Sequence, residues 1–167
     1  MHKAAAILQF KLEGQLLERH PEYGMESRRL LHRIDFEKKT VVVDGAEYPM
    51  RSCLFPTIDP DDPYALNPLE REVMDRLTLE FAHSEKLQRH VQFLYSAGGM
   101  YLRCNGNLLY HGCIPMEKDG AFAEIPVTGR QGLRGRAAID AADKLARQGY
   151  FATLGSPARQ VGQDFLW

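Results

Sequence analysis

Tyr101-Leu102-Arg103-Cys104-Asn105-Gly106-Asn107-Leu108-Leu109-Tyr110-His111-Gly112 is the stretch whose reading decides the fold. The apolar run from Leu108 to Tyr110 stops abruptly at His111-Gly112. Its length, and the Asn-Gly and Gly/Pro punctuation around it, predict a short buried strand. Met100 to Cys104 forms its partner across Asn105-Gly106. The strand delivers one imidazole to its end, and Gly112 lets the chain turn with nothing bulky beside the ring. Ligands tend to sit at strand ends in α/β and α+β proteins. His111 is therefore the candidate ligand, set against the plainer reading of a structural histidine. The rest of the chain has to decide between them.

The 167 residues are 44% hydrophobic and 26% charged, enough for one domain with a real core and unlike a disordered or fibrous chain. With 21 basic and 22 acidic residues the net charge is -1. No excess positive charge is available for nucleic acid. Apolar runs are a handful of residues, so no membrane span is predicted. Ala4 to Leu8 is too short and wrongly flanked for a signal peptide. Cys53, Cys104 and Cys113 are odd in number and fit reduced thiols in a cytoplasm. The only Trp closes the chain in Phe165-Leu166-Trp167. Domains usually end in polar residues, so this apolar stop predicts that the natural chain continues.

Residues 3–19 predict a helix, because Ala4, Leu8, Leu12 and Leu16 recur every fourth residue with Ile7 beside them. Lys11, Glu13, Glu18 and Arg19 fall mostly off that stripe, Gly14 is a mild weakness, and Pro21 ends the helix. Residues 25–34 predict a short charged helix or turn, making 1–34 a helical region. There Glu26, Arg28, Arg29, His32 and Arg33 surround Leu30, Leu31 and Ile34. A solvated face is the simpler reading, a basic patch for a phosphorylated ligand the sharper one. Residues 40–50 predict a β-hairpin around Asp44-Gly45, with Pro49 confining the return strand to an edge or an end. Residues 51–66 read as an acidic, proline-stiffened connector. Its Asp59, Asp61 and Asp62 lack the central Gly and final Glu of a calcium loop.

Residues 67–97 predict a long helical region. Asn67 caps it and Pro68 suits its first position, while Leu69, Val73, Leu77 and Phe81 repeat every fourth residue with Met74 beside them. Ser84 starts a second segment with Leu87, Val91 and Leu94 on one face, closed by Gly98-Gly99. His83 and His90 are seven apart and read as surface residues. Over 100–127 the two strands carrying His-Gly are followed by a predicted third, Phe122 to Val127. Residues 135–148 predict a last helix. Ala137, Ala141 and Leu145 form its packing face, Gly149 its cap, and Gly155-Ser156-Pro157 opens an irregular tail. The sum is a single α+β segment, helices packed on a few short strands.

The common phosphate-binding, dinucleotide and nucleophile-elbow signatures are absent. Cys104, His111 and Cys113 match no common zinc spacing and lack a fourth ligand.

The segment MYLRCNGNLLYHGCIPM (100–116), followed by DGAF (119–122), resembles the class III fructose-1,6-bisphosphatases of bacteria. The resemblance continues through AILQFKLEGQ (6–15), FPTIDPDDPY (55–64) and SEKLQRHVQFLYSAGGMYL (84–102). It loosens beyond residue 125 or so, until GQDFLW (162–167). It implies hydrolysis of the 1-phosphate of fructose 1,6-bisphosphate in gluconeogenesis, a piece of a calcineurin-like metallophosphoesterase fold, and manganese as metal. It also implies that His111 binds one ion of a binuclear pair, its other ring nitrogen fixed by a neighbouring acceptor. The upstream Gly-Asp-x-x-Asp-Arg-Gly and Gly-Asn-His-Asp motifs and the downstream Gly-His motif of that superfamily are not in the chain. The chain is thus expected to be an interior segment, inactive alone, with exposed apolar surface on its first helix and near Trp167 that promotes self-association. The rival readings are a non-catalytic helical scaffold, presenting the helix from Asn67 to a partner, and a small zinc protein.

Overall fold

The computed structural model describes residues 2–167. They form two compact units, one through Phe81 and one from Ala82 onward. No helix among the described residues is long and apolar enough to cross a membrane.

In the first unit the expected helix forms as α1 (His2–Arg19); Ile7 and Leu16 of the expected stripe are buried, but the buried face is rotated away from the rest of it. Ile7, Lys11, Gly14 and Leu17 are buried, Leu8 and Leu12 only half-buried, and Ala4 exposed. Periodicity misplaced Lys11 and Glu13 because each carries its own counter-charge inward, which is how a charged group is buried at tolerable cost. Lys11 Nζ donates to Glu70 Oε2 at 2.8 Å and to the Thr57 carbonyl. Glu13 meets Arg28 Nε at 2.6 Å. Gly14 is no weakness: a Cβ there would collide with the Tyr64 ring.

Residues 21–33 form three single 3-10 turns, Pro21–Tyr23, Glu26–Arg28 and Leu31–Arg33, the turn alternative expected over 25–34. Ile34, read as part of that helical region, instead opens a strand. Strands β1 (Ile34–Asp35), β2 (Thr40–Val43) and β3 (Ala46–Pro49) form an antiparallel sheet in that order, with Val41 opposite Ile34 and Tyr48. Asp35 Oδ1 accepts from the backbone N–H of Glu37 and Lys38, turning the chain back into β2. The predicted hairpin stands, with Asp44 at φ 50° and Gly45 at φ 79°, the two left-handed positions of its tight turn.

Residues 51–66 are irregular, as expected, yet they supply core. Ile58 and Tyr64 are buried with Ile7 and Leu31, and Phe55 packs against them with Ile34 and Phe36. Helix α2 (Pro68–Ala82) starts in a reciprocal cap: Asn67 Oδ1 accepts from the Glu70 N–H, and Glu70 Oε2 accepts from the Asn67 N–H. Its apolar repeat forms but is uncovered within the unit, Leu69 being 67% and Phe81 61% exposed.

The second unit holds α3 (Glu85–Ala97), the antiparallel pair β4 (Tyr101–Cys104) and β5 (Asn107–Tyr110), α4 (Gly135–Phe151) and α5 (Pro157–Leu166). The third strand expected at Phe122 to Val127 is absent, and the segment makes only isolated bridges, Met116 to Phe122, Glu124 to Arg134 and Val127 to Arg130. Pro126 lies inside it and has no N–H to donate to a ladder. Helix α4 runs past Gly149 to Phe151, so Gly149 is not a cap. It meets Gly162 of α5 at backbone distance, where a Cβ on either would overlap the other. The expected irregular tail is α5, opened by Ser156, whose hydroxyl accepts from the Arg159 N–H, and by Pro157 at the first position. The packing face of α4 is Ala138, Ala141, Ala142 and Ala146, with Ala137 exposed. Val127, Ala141 and Ala142 form this unit's core with Met100, Ile125, Leu133, Leu145 and Phe165 around them.

Candidate functional site at the end of the β4–β5 hairpin

Asn105 at φ 51° and Gly106 at φ 77° form the tight turn that the sequence predicts between β4 and β5. The register pairs Tyr101 with Tyr110, Leu102 with Leu109, Arg103 with Leu108 and Cys104 with Asn107. Alternation along the strands puts Leu102 and Leu109 on one face and Tyr101, Arg103, Leu108 and Tyr110 on the other. Both faces therefore carry large apolar side chains. The expectation of a buried strand is corrected here: Leu108, Leu109 and Tyr110 are 48%, 52% and 46% exposed. A two-stranded ribbon has two faces and two edges, and the rest of this unit covers only part of them.

His111 follows β5 directly, and Gly112 at φ 85° turns the chain away in a conformation that favours glycine. The imidazole is exposed, not packed among hydrophobic neighbours. It lines a cavity of about 820 Å³ shared with Gly98, Gly99, Leu109, Cys113 and Ile114. A ring so placed can accept a ligand from outside the chain.

The other candidates are dispersed. No group of three His, Cys, Asp or Glu side chains that could hold a metal ion exists among the described residues. Cys104, His111 and Cys113 thus make no zinc site, and the two cysteines are exposed free thiols. Asp59, Asp61 and Asp62 make no metal loop, and Asp59 accepts from the Asp61 N–H instead. The residues present do not by themselves fit a binuclear metal centre, and His111 is at most one ligand of one.

The charged cluster after α1 resolves as a paired surface. Arg28 meets Glu13, and Arg29 meets Glu26 at 3.4 Å while stacking on the Tyr64 ring at 5.0 Å. His32 Nδ1 lies 2.8 Å from the Tyr64 hydroxyl. Burial, reinforced by Arg29 and Arg33, holds its pKa below the usual imidazole value, so it favours the neutral form. A phosphate would meet Glu26 and Glu13 there as well as the arginines.

Sequence reading missed one polar group beside the hairpin. The Tyr101 hydroxyl donates to Asp140 Oδ1 at 2.9 Å, and Arg136 Nε donates to Asp140 Oδ2 at 3.3 Å. Tyr101 and Asp140 both raise the Arg136 pKa. Tyr101 and Asp140 are 39 apart in sequence, so no local spacing announces the contact.

The whole chain, residues 1–167, matches the family model described as Firmicute fructose-1,6-bisphosphatase. Similar curated proteins are each named fructose-1,6-bisphosphatase class 3. The protein of Clostridium novyi (strain NT) is 47% identical and that of Clostridium acetobutylicum 49%, each over all of this chain and 25% of the relative. That of Bacteroides thetaiotaomicron is 44% identical over the same shares. The chain spans about a quarter of the length of the curated relatives it matches. No solved structure matches it. With helices and small antiparallel sheets in an α+β arrangement and a family match over its full length, the chain belongs to the Firmicute fructose-1,6-bisphosphatase family.

Proposed function

We propose that this chain is a segment of a longer metal-dependent phosphatase that hydrolyses the 1-phosphate of fructose 1,6-bisphosphate in gluconeogenesis. The observation that carries the reading is the family match over all 167 residues, joined to relatives at 44–49% identity. The finer parts of the reading are a metallophosphoesterase-type fold for the whole protein, manganese as its metal, and a cytoplasmic location with reduced thiols.

In this reading His111 is the segment's contribution to the metal centre, with the remaining ligands supplied from outside these residues. Its exposure at a strand end and the glycine after it support that role. Bound metal would supply charge stabilisation to the phosphoryl group. The chain's own part is to hold one imidazole at the end of the hairpin.

The test is paired. In the full-length protein, His111→Ala is expected to lower both bound manganese and phosphate release from fructose 1,6-bisphosphate. Losing a residue that merely supports a metal ligand typically costs about 10- to 100-fold in affinity or activity, and losing the ligand itself should cost at least that. The isolated 167-residue chain should release no phosphate above its own His111→Ala control. Full metal content and activity in the full-length variant would remove His111 from the site.

A further inference from the structure

A second cavity lies on the opposite face of the hairpin from Leu102 and Leu109. It measures about 250 Å³. Tyr101, Arg103, Leu108 and Tyr110 line it from β4 and β5. They are the set that strand alternation places on one face. Arg136 and Ile139 line it from α4, three apart and so on one helix face. Ile114 and Phe122 complete its apolar surface.

The charges at this cavity are unequal. Arg136 is neutralised by Asp140, which Tyr101 also holds in place. Arg103 is exposed and has no charge partner within salt-bridge distance among the described residues. The nearby Arg134 is occupied with Glu117 and Glu124, and none of these three lines the cavity. The cavity thus combines apolar and aromatic walls with one uncompensated positive charge carried on a planar fork. Such a fork favours a two-oxygen acid. A dianion would bring a second charge to be desolvated against the apolar walls, which favours a monoanion. The volume exceeds the roughly 150 Å³ of a cavity that takes benzene, so a single-ring ligand fits with room for its acid group.

We propose that this cavity binds a small aromatic monocarboxylate, its ring against Leu108, Phe122 and Ile139 and its carboxylate on Arg103. The site adjoins the His111 cavity, with which it shares Tyr101, Tyr110, Ile114 and Ile139, but His111 does not line it, and the proposal does not depend on the phosphatase reading.

The experiment titrates the full-length protein, isotope-labelled in this segment alone, with sodium benzoate, benzyl alcohol and phenyl phosphate, following amide shifts of β4, β5 and α4 by NMR. Benzoate should saturate. Benzyl alcohol, of the same ring without the charge, should bind at least about tenfold more weakly, the worth of one charge-assisted contact. Phenyl phosphate should bind no tighter than benzoate. Arg103→Gln should weaken benzoate by a similar factor and leave benzyl alcohol unchanged. Benzyl alcohol binding as tightly as benzoate would make the cavity a plain apolar cleft and overturn the proposal. So would shifts that fail to saturate at millimolar benzoate, or an Arg103→Gln variant that binds it as the unmodified chain does. The comparison of ligands uses unmodified protein, so it stands even where a variant is unstable.

Discussion

Lys11 has no exposed surface, and its ammonium is held by Glu70 and the Thr57 carbonyl. Burial alone would raise the Glu70 pKa, but the bonds from Lys11, the Asn67 N–H and Thr57 outweigh it and hold the carboxyl below its ordinary 4.5. Lys11→Met removes one partner of a buried pair and should cost about 3–5 kcal/mol, read by urea unfolding. The double variant Lys11→Met, Glu70→Gln should recover part of that, since it leaves no unpaired charge. A depressed carboxyl pKa also fixes a pH dependence. The stability that Glu70 contributes is fully present above pH 4.5 and is lost as pH falls below 4.5 through the lower folded-state value. Unfolding midpoints of Glu70→Gln should therefore fall less than those of the unmodified chain across that window. None of this was legible from spacing, which places apolar residues well but cannot foresee that a lysine finds its carboxylate 59 positions away. The strand-end position of His111 was legible, because an apolar run ending at His-Gly is a local signal.

Among the elements, turn chemistry was the most readable feature. Asp44-Gly45 and Asn105-Gly106 fixed both hairpins because few residues tolerate two left-handed positions in succession. Asn67-Pro68 fixed the start of α2 for a similarly local reason. Gly149 misled, because glycine both ends helices and permits close helix crossings, and only its distant neighbour Gly162 decides which. Ser156-Pro157 is a helix start whose residues serve equally well as a loop signal, and here they cap α5. The α4–α5 crossing yields a prediction at this scale. Gly162→Ala gains up to about 1 kcal/mol of helix propensity. It must also push two backbones apart, an overpacking cost of about 1–3 kcal/mol. A net fall in the thermal midpoint of the second unit is expected by calorimetry. An unchanged or raised midpoint would mean that the helices can separate freely.

Across the whole molecule, apolar exposure is the dominant property. Leu69 and Phe81 on α2 are 67% and 61% exposed, and Phe93 and Leu94 on α3 are 67% and 63%. Patches of this kind usually mark a missing partner. The first helix contributes less than sequence reading implies, with Phe10 only 38% exposed. The isolated chain should bind a hydrophobic dye, and its sedimentation mass should rise above 19.0 kDa with concentration. Phe93→Glu and Leu69→Glu together should lower both signals. A monomer at all concentrations, with no dye binding, would show that these faces are harmless in water.

The single indole, Trp167, is 61% exposed at the end of α5. Its emission should already sit at long wavelength in the native state, so fluorescence will be nearly blind to denaturation by urea. A shift towards the blue would instead register that something has come to cover that end of the chain, making Trp167 a built-in reporter of docking.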